Sequence, residues 1–100
     1  MSFPMKRHLF ILAVLFSTVA QSAAAECFAD YKAKRDAGGL ELHYGVIALN
    51  QPCGNKAAIE EEVRNRIAGD GWQLLRVMSS FERSKLQDKQ PDAGDYFLRY

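Results

Sequence analysis

Two cysteines, Cys27 and Cys53, constrain this chain more than any other residues, because the stretch that holds them is too short to depend on a core alone. Below about 80 residues a hydrophobic core is marginal and is usually reinforced by a covalent link. An even cysteine count with none left over reads as one structural disulfide in a small exported domain. Closing that loop lowers the entropy of the unfolded chain by about 3 to 4 kcal/mol on the chain-entropy model. A redox pair is normally close in sequence, as in Cys-x-x-Cys, whereas these two stand 26 positions apart. A metal site needs more ligands than two distant thiols and His43, the one histidine between them. The residues imply no metal and no cofactor.

The oxidising environment that such a bond needs is written into the first 25 residues. Lys6, Arg7 and His8 form a basic start, Leu9 to Val19 is apolar apart from Ser17 and Thr18, and Gln21-Ser22 leads into Ala23-Ala24-Ala25. A positive start, a short apolar run and a small-x-small exit make a secretory signal, with cleavage expected between Ala25 and Glu26. The apolar run is shorter than the roughly 20 residues that cross a bilayer, so a permanent anchor is disfavoured. A lipid anchor on Cys27 would need a small residue before it, and Glu26 stands there. The expected product is one small domain, residues 26–100, in the periplasm or secreted.

Cleavage changes the composition. Of the 48 apolar residues, 16 lie in the leader, and the 75 residues that follow it carry 11 basic and 12 acidic side chains. A near-neutral surface gives no electrostatic footprint for nucleic acid or for an anionic membrane once the signal is removed. Arg64, Arg66 and Arg76 could form a local basic patch, but Glu60, Glu61 and Glu62 adjoin them, as on a solvated mixed-charge helix face.

Cys27 to Asp36 is polar, with Phe28 and Tyr31 three apart, and reads as a short helix or turn stapled by the disulfide and ended by Ala37-Gly38-Gly39. Leu40 to Leu49 alternates, with Leu40, Leu42, Tyr44, Val46 and Ala48 on one face and Glu41, His43, Gly45, Ile47 and Leu49 on the other, which is a strand. Asn55 can cap a helix running to about Ala68, with Ile59, Val63 and Ile67 as its buried stripe and Gly69-Asp70-Gly71 as its stop. Trp72 to Phe81 reads as a second strand and Tyr96 to Tyr100 as a third, separated by a charged, mobile segment from Glu82 to Asp95. The expected fold is α+β: a three-stranded sheet in β-α-β-β order with one main helix on one face. The helical crossover makes the first two long strands parallel, and the terminal strand, apolar on both sides, goes in the middle.

Gly71-Trp72-Gln73-Leu74-Leu75 after an amphipathic helix, followed by Tyr96-Phe97-Leu98-Arg99-Tyr100, resembles a group of small bacterial domains of unknown function. That group has strand-helix-strand-strand order and a Gly-Trp-Glu-Leu-Val helix exit, where this chain has Gln73 in place of the acid. Through Cys27-Phe28-Ala29-Asp30-Tyr31-Lys32, Leu42-His43-Tyr44-Gly45-Val46 and Asp70-Gly71-Trp72, residues 26–100 also resemble uncharacterised secreted proteins of proteobacteria. The resemblance implies a fold and no activity.

Few residues suggest chemistry. Glu41 and His43 project from one strand face and could form an acid–base pair for a small hydrolase or lyase, although a solvated or partly covered strand edge is the favoured explanation. Ser79 and Ser80 lie in a strand without the turn that exposes a nucleophile. Trp72 reads as a core plug, or with Tyr44 as the wall of a ligand pocket between helix and sheet. The supply of apolar residues is more telling. One helix covers one side of a three-stranded sheet, so Ile47 and Leu49, together with part of the second strand, should emerge on a face the helix does not reach. An apolar patch of that kind marks a binding surface. The leading expectation is a non-enzymatic module that binds another exported protein or a copy of itself through Ile47, Leu49, Trp72 and Tyr44.

Overall fold

The computed structural model of the protein describes residues 26–100, so the expected secretory leader and, apart from Glu26, its expected cleavage point lie outside the described residues. The chain is α+β. Strand β1 (Phe28–Asp36) is followed by β2 (Leu40–Ala48), helix α1 (Lys56–Ala68), strand β3 (Gln73–Phe81) and helix α2 (Leu86–Ala93), with one-turn helices at Arg83–Lys85 and Gly94–Tyr96. The sheet order is β2-β1-β3, and β1 is antiparallel to both neighbours.

This order corrects three expectations. The segment after Cys27 is neither helix nor turn but the central strand. Its helix-like Phe28/Tyr31 spacing hides a two-residue alternation, with Ala29, Tyr31 and Ala33 facing one way and Phe28, Asp30, Lys32 and Lys34 the other. Lysine, alanine and aspartate are poor strand formers in isolation, but pairing on both sides overrides that weak preference. The order is therefore β-β-α-β-α and not β-α-β-β. The long strands β2 and β3 do run in the same direction, as a helical crossover requires, yet β1 lies between them.

The second correction concerns Glu82 to Asp95. This polar segment contains α2, whose Leu86 and Ala93 are buried although Pro91 interrupts its backbone ladder. Two anchors seven residues apart, in an otherwise hydrophilic stretch, give almost no periodic signal. The third is the C-terminal strand. Tyr96 ends a one-turn helix, and the chain beyond it makes only a single parallel bridge, Phe97 to Val46. Leu98 donates to the Val46 carbonyl at 2.8 Å, but its φ of +58° turns the backbone out of the extended conformation.

Ala37-Gly38-Gly39, expected to end a helix or turn, instead forms the β1–β2 hairpin turn, where Gly38 and Gly39 have φ of +85° and +152°. The helix and the disulfide hold for the expected reasons. Asn55 caps α1 by accepting from the Ala58 amide at 3.0 Å, and Ile59, Val63 and Ile67 bury the predicted stripe. Cys27 and Cys53 are bonded, tying the start of β1 to the loop before α1 across a Cα–Cα distance of 5.4 Å.

Helix α1 packs on one sheet face, the front, against Ala29, Tyr31, Ala33, Ile47, Val77 and Trp72. Helix α2 covers one end of the other face, the back, against Phe28, Val46 and Phe81. On the front, Tyr31 lies across Gly45. A Cβ on Gly45 would sit 2.6 Å from the Tyr31 hydroxyl oxygen and 2.7 Å from Cζ, closer than atoms can approach. Gly45→Ala is therefore expected to cost about 1–3 kcal/mol by expelling a fully buried phenol, read as a lower urea midpoint at unchanged slope. A shift under about 0.5 kcal/mol would show that Tyr31 is not fixed there.

Candidate binding face

The residues expected to form a binding surface do not come together. Ile47 and Trp72 are buried in the front core, and Leu49 is half-buried against it. Tyr44 lies on the back, its hydroxyl donating to Asp30 at 2.7 Å. Trp72 and Tyr44 thus sit on opposite faces and cannot wall one pocket. The space between α1 and the sheet narrows to a groove of about 190 Å³ near Lys56, Ile59 and Met78. The helix covers the Ile47 face, so the apolar overflow appears on the face of β2 that carries Leu40 and Leu42.

The front end of the molecule is closed by an aromatic cluster that no spacing in the sequence revealed. His43 stacks on Tyr96 with ring centroids 3.8 Å apart and meets Trp72 edge-on at 4.2 Å. Its Nε2 hydrogen-bonds the Tyr31 hydroxyl at 2.9 Å, while Nδ1 is buried without a hydrogen-bond partner among the described residues. Tyr100 extends the stack and donates to Asp70 at 2.7 Å. Glu41 does not pair with His43. Its carboxylate accepts from Arg35 at 2.9 Å, and that guanidinium lies 4.1 Å from the Trp72 ring centroid and also donates to the Asp70 carbonyl. The acid–base pair expected from strand alternation is thus separated into two distinct contacts.

Burial pushes the His43 imidazole down from its ordinary 6.5 to about 4, and the cations of Arg35 and Arg99 push the same way. The ring is therefore neutral at physiological pH and acts as an aromatic plate.

Asp30 plays the corresponding part on the back. Burial raises its pKa, but hydrogen bonds from Ser79 and Tyr44 and the nearby Lys89 ammonium outweigh it, and the carboxyl is held below its usual range. Lys89 lies 3.3 Å away, so this buried carboxylate fastens α2 to the sheet.

Beyond α2 the back face is open. Leu40, Leu42 and Leu75 are 68, 66 and 50 % exposed. Leu42 and Leu75 border a shallow depression of about 270 Å³ floored by Lys32, Ala33 and Tyr44. Leu75 reaches this face because β3 is irregular opposite Lys32 and Ala33, which leaves it unpaired beside Arg76. Lys32 and Lys34 run down the central strand between the leucines, with Arg76 paired opposite Lys32. The leucines of β2 were visible in the sequence as one face of an alternating strand. Leu75 was not, because only the irregular register turns it outward.

No protein-family model matches this chain, and no curated protein or solved structure is significantly similar to it. Among the described residues no helix is long and apolar enough to cross a membrane, and no group of three or more histidine, cysteine or carboxylate side chains could hold a metal ion.

The His43 environment has a measurable consequence. Its folded pKa lies below its unfolded value, so the stabilisation is complete above pH 6.5 and is lost as pH falls from 6.5 through 4. At about 1.4 kcal/mol per pKa unit the loss over that window is roughly 3 kcal/mol. Urea titrations from pH 7 to 4 should show this slope in the native protein and lose most of it in His43→Phe. Equal slopes in the two proteins would contradict the neutral, buried imidazole.

Proposed function

We propose that the chain is exported, loses its leader after Ala25, and works in the periplasm or outside the cell as a non-enzymatic module that binds another protein through the open half of the back face. The observation that carries this reading is the exposure of Leu40 and Leu42 on β2 and of Leu75 on β3, flanking Lys32 and Lys34 on one sheet face with no helix above them among the described residues. These three are the most exposed of the large apolar side chains, ahead of Leu98 and Met78. A small domain gains nothing in stability by leaving them in water, and apolar side chains gathered on an uncovered face are characteristic of contact sites. The Cys27–Cys53 bond supports the oxidising location, since disulfides persist mainly outside the cytosol. The front cluster supports the non-enzymatic reading, because it occupies His43 with stacking and a tyrosine hydrogen bond and Glu41 with an arginine.

A photo-crosslinking amino acid placed at position 42 or 75, in cells making the full chain, tests the site. The expected result is one discrete adduct from both positions, identified by mass spectrometry, and none from position 65 on the exposed side of α1. The mass of the adduct separates a different protein from a second copy. Absence of adducts at 42 and 75, or equal labelling at 65, overturns the proposal.

A further inference from the structure

The open half-face has a size and charge that narrow its occupant. From Lys32 to Asp36 the uncovered part of β1 is about 15 Å long, and three strands make a floor about 10 Å wide. That matches about three turns of one α-helix, which is 10–12 Å across with a 5.4 Å pitch. Helix α2 already occupies the other half of the same face, so a second helix laid on the bare half would complete the layer. The floor is cationic as well as apolar. Lys32, Lys34 and Arg76 are exposed, and none of the three has an ion-pair partner among the described residues.

Two other occupants fit poorly. A second copy docked by two-fold symmetry would bring the same cations of both copies together, and like charges across an interface oppose association. A flat anionic membrane would meet α2 first, because that helix stands about 10 Å proud of the sheet. The outward residues of α2 include Asp88 and Asp92, which anionic headgroups repel.

We propose that the open half-face receives an acidic amphipathic helix of a partner protein, about three turns long, whose leucine-like side chains pack on Leu40, Leu42 and Leu75 while its carboxylates meet Lys32, Lys34 and Arg76. This rests on the protein-binding reading above and adds the partner's chemistry. Asp36 at the hairpin end and the acids of α2 bracket the cationic strip, so the guest carboxylates belong in its middle turn. Helix-in-groove recognition of this kind takes its affinity from apolar anchors and its selectivity from charge.

The probe is a labelled alanine-based helical peptide carrying leucines and glutamates on one face, with a twin in which every glutamate is lysine. Fluorescence anisotropy is measured with protein recovered from cells expressing the full chain. The glutamate peptide is expected to bind at about 10–100 µM, at least tenfold more tightly than its twin, and to weaken as salt is raised from 50 to 300 mM. Lys32→Glu/Lys34→Glu should reverse the preference in favour of the lysine peptide. That reversal also shows that the variant is folded. Leu42→Asp should abolish binding of both. Equal binding of the two peptides, or none at about 1 mM, overturns the acidic-helix proposal. If position 42 still cross-links a protein in cells, the binding face itself stands. Binding of phosphatidylglycerol vesicles in place of the peptide, or a dimer that excludes the peptide, also overturns it.

Discussion

The antiparallel pairing of β1 with strands on both sides is the constraint on which the rest of the structure depends. A central strand hydrogen-bonds its backbone in both directions, so it can hold residues such as Lys32, Ala33 and Lys34 in an extended conformation that their own preferences would not choose. Its alternation then assigns every other contact to a face. Ala29, Tyr31 and Ala33 receive α1, while Phe28 and Asp30 receive α2. The disulfide anchors this strand at its start, where Cys27 joins the loop before α1.

The two faces are closed in different ways. On the front, a three-residue aliphatic stripe from α1 fills most of the surface, and the aromatic stack of His43, Tyr96 and Tyr100 covers the remainder from the chain end. On the back, an eight-residue helix is fastened by a buried carboxylate–lysine pair and covers only the end near Phe28. Three strands present more back surface than this short helix can cover. The bare leucines are the geometric remainder, and their lysine and arginine neighbours give that remainder a charge.

The sequence was most informative where a pattern was strong and local. Asn55, the Ile59/Val63/Ile67 stripe and the Gly71 turn define α1 nearly to the residue, because capping and periodicity act within one element. The alternation of Leu40 to Ala48 defines β2 equally well. The pattern failed where the deciding contacts are distant. Nothing near Phe28 announces that this strand is central, since that follows from its partners Ala48 and Phe81, 20 and 53 residues away. Nothing in Leu86 to Ala93 announces a helix, since its stability comes from Asp30 and Phe28. An excess of apolar residues over available cover was legible, but which face would stay bare was not. That choice was made by α1 settling on the Ile47 side and not on the Leu42 side.

Hydrogen–deuterium exchange resolved to single amides tests the central role of β1 most directly. In a strand paired on both sides every amide is bonded to one neighbour or the other, whereas in β3, bonded only to β1, alternate amides face outward. Continuous strong protection is expected from Ala29 to Lys34, comparable with the middle of α1, and interrupted protection along β3, where outward amides exchange rapidly and the irregularities at Leu75 and Met78 break the alternation. Rapid exchange across Ala29 to Lys34, with β2 or β3 continuously protected instead, would contradict it.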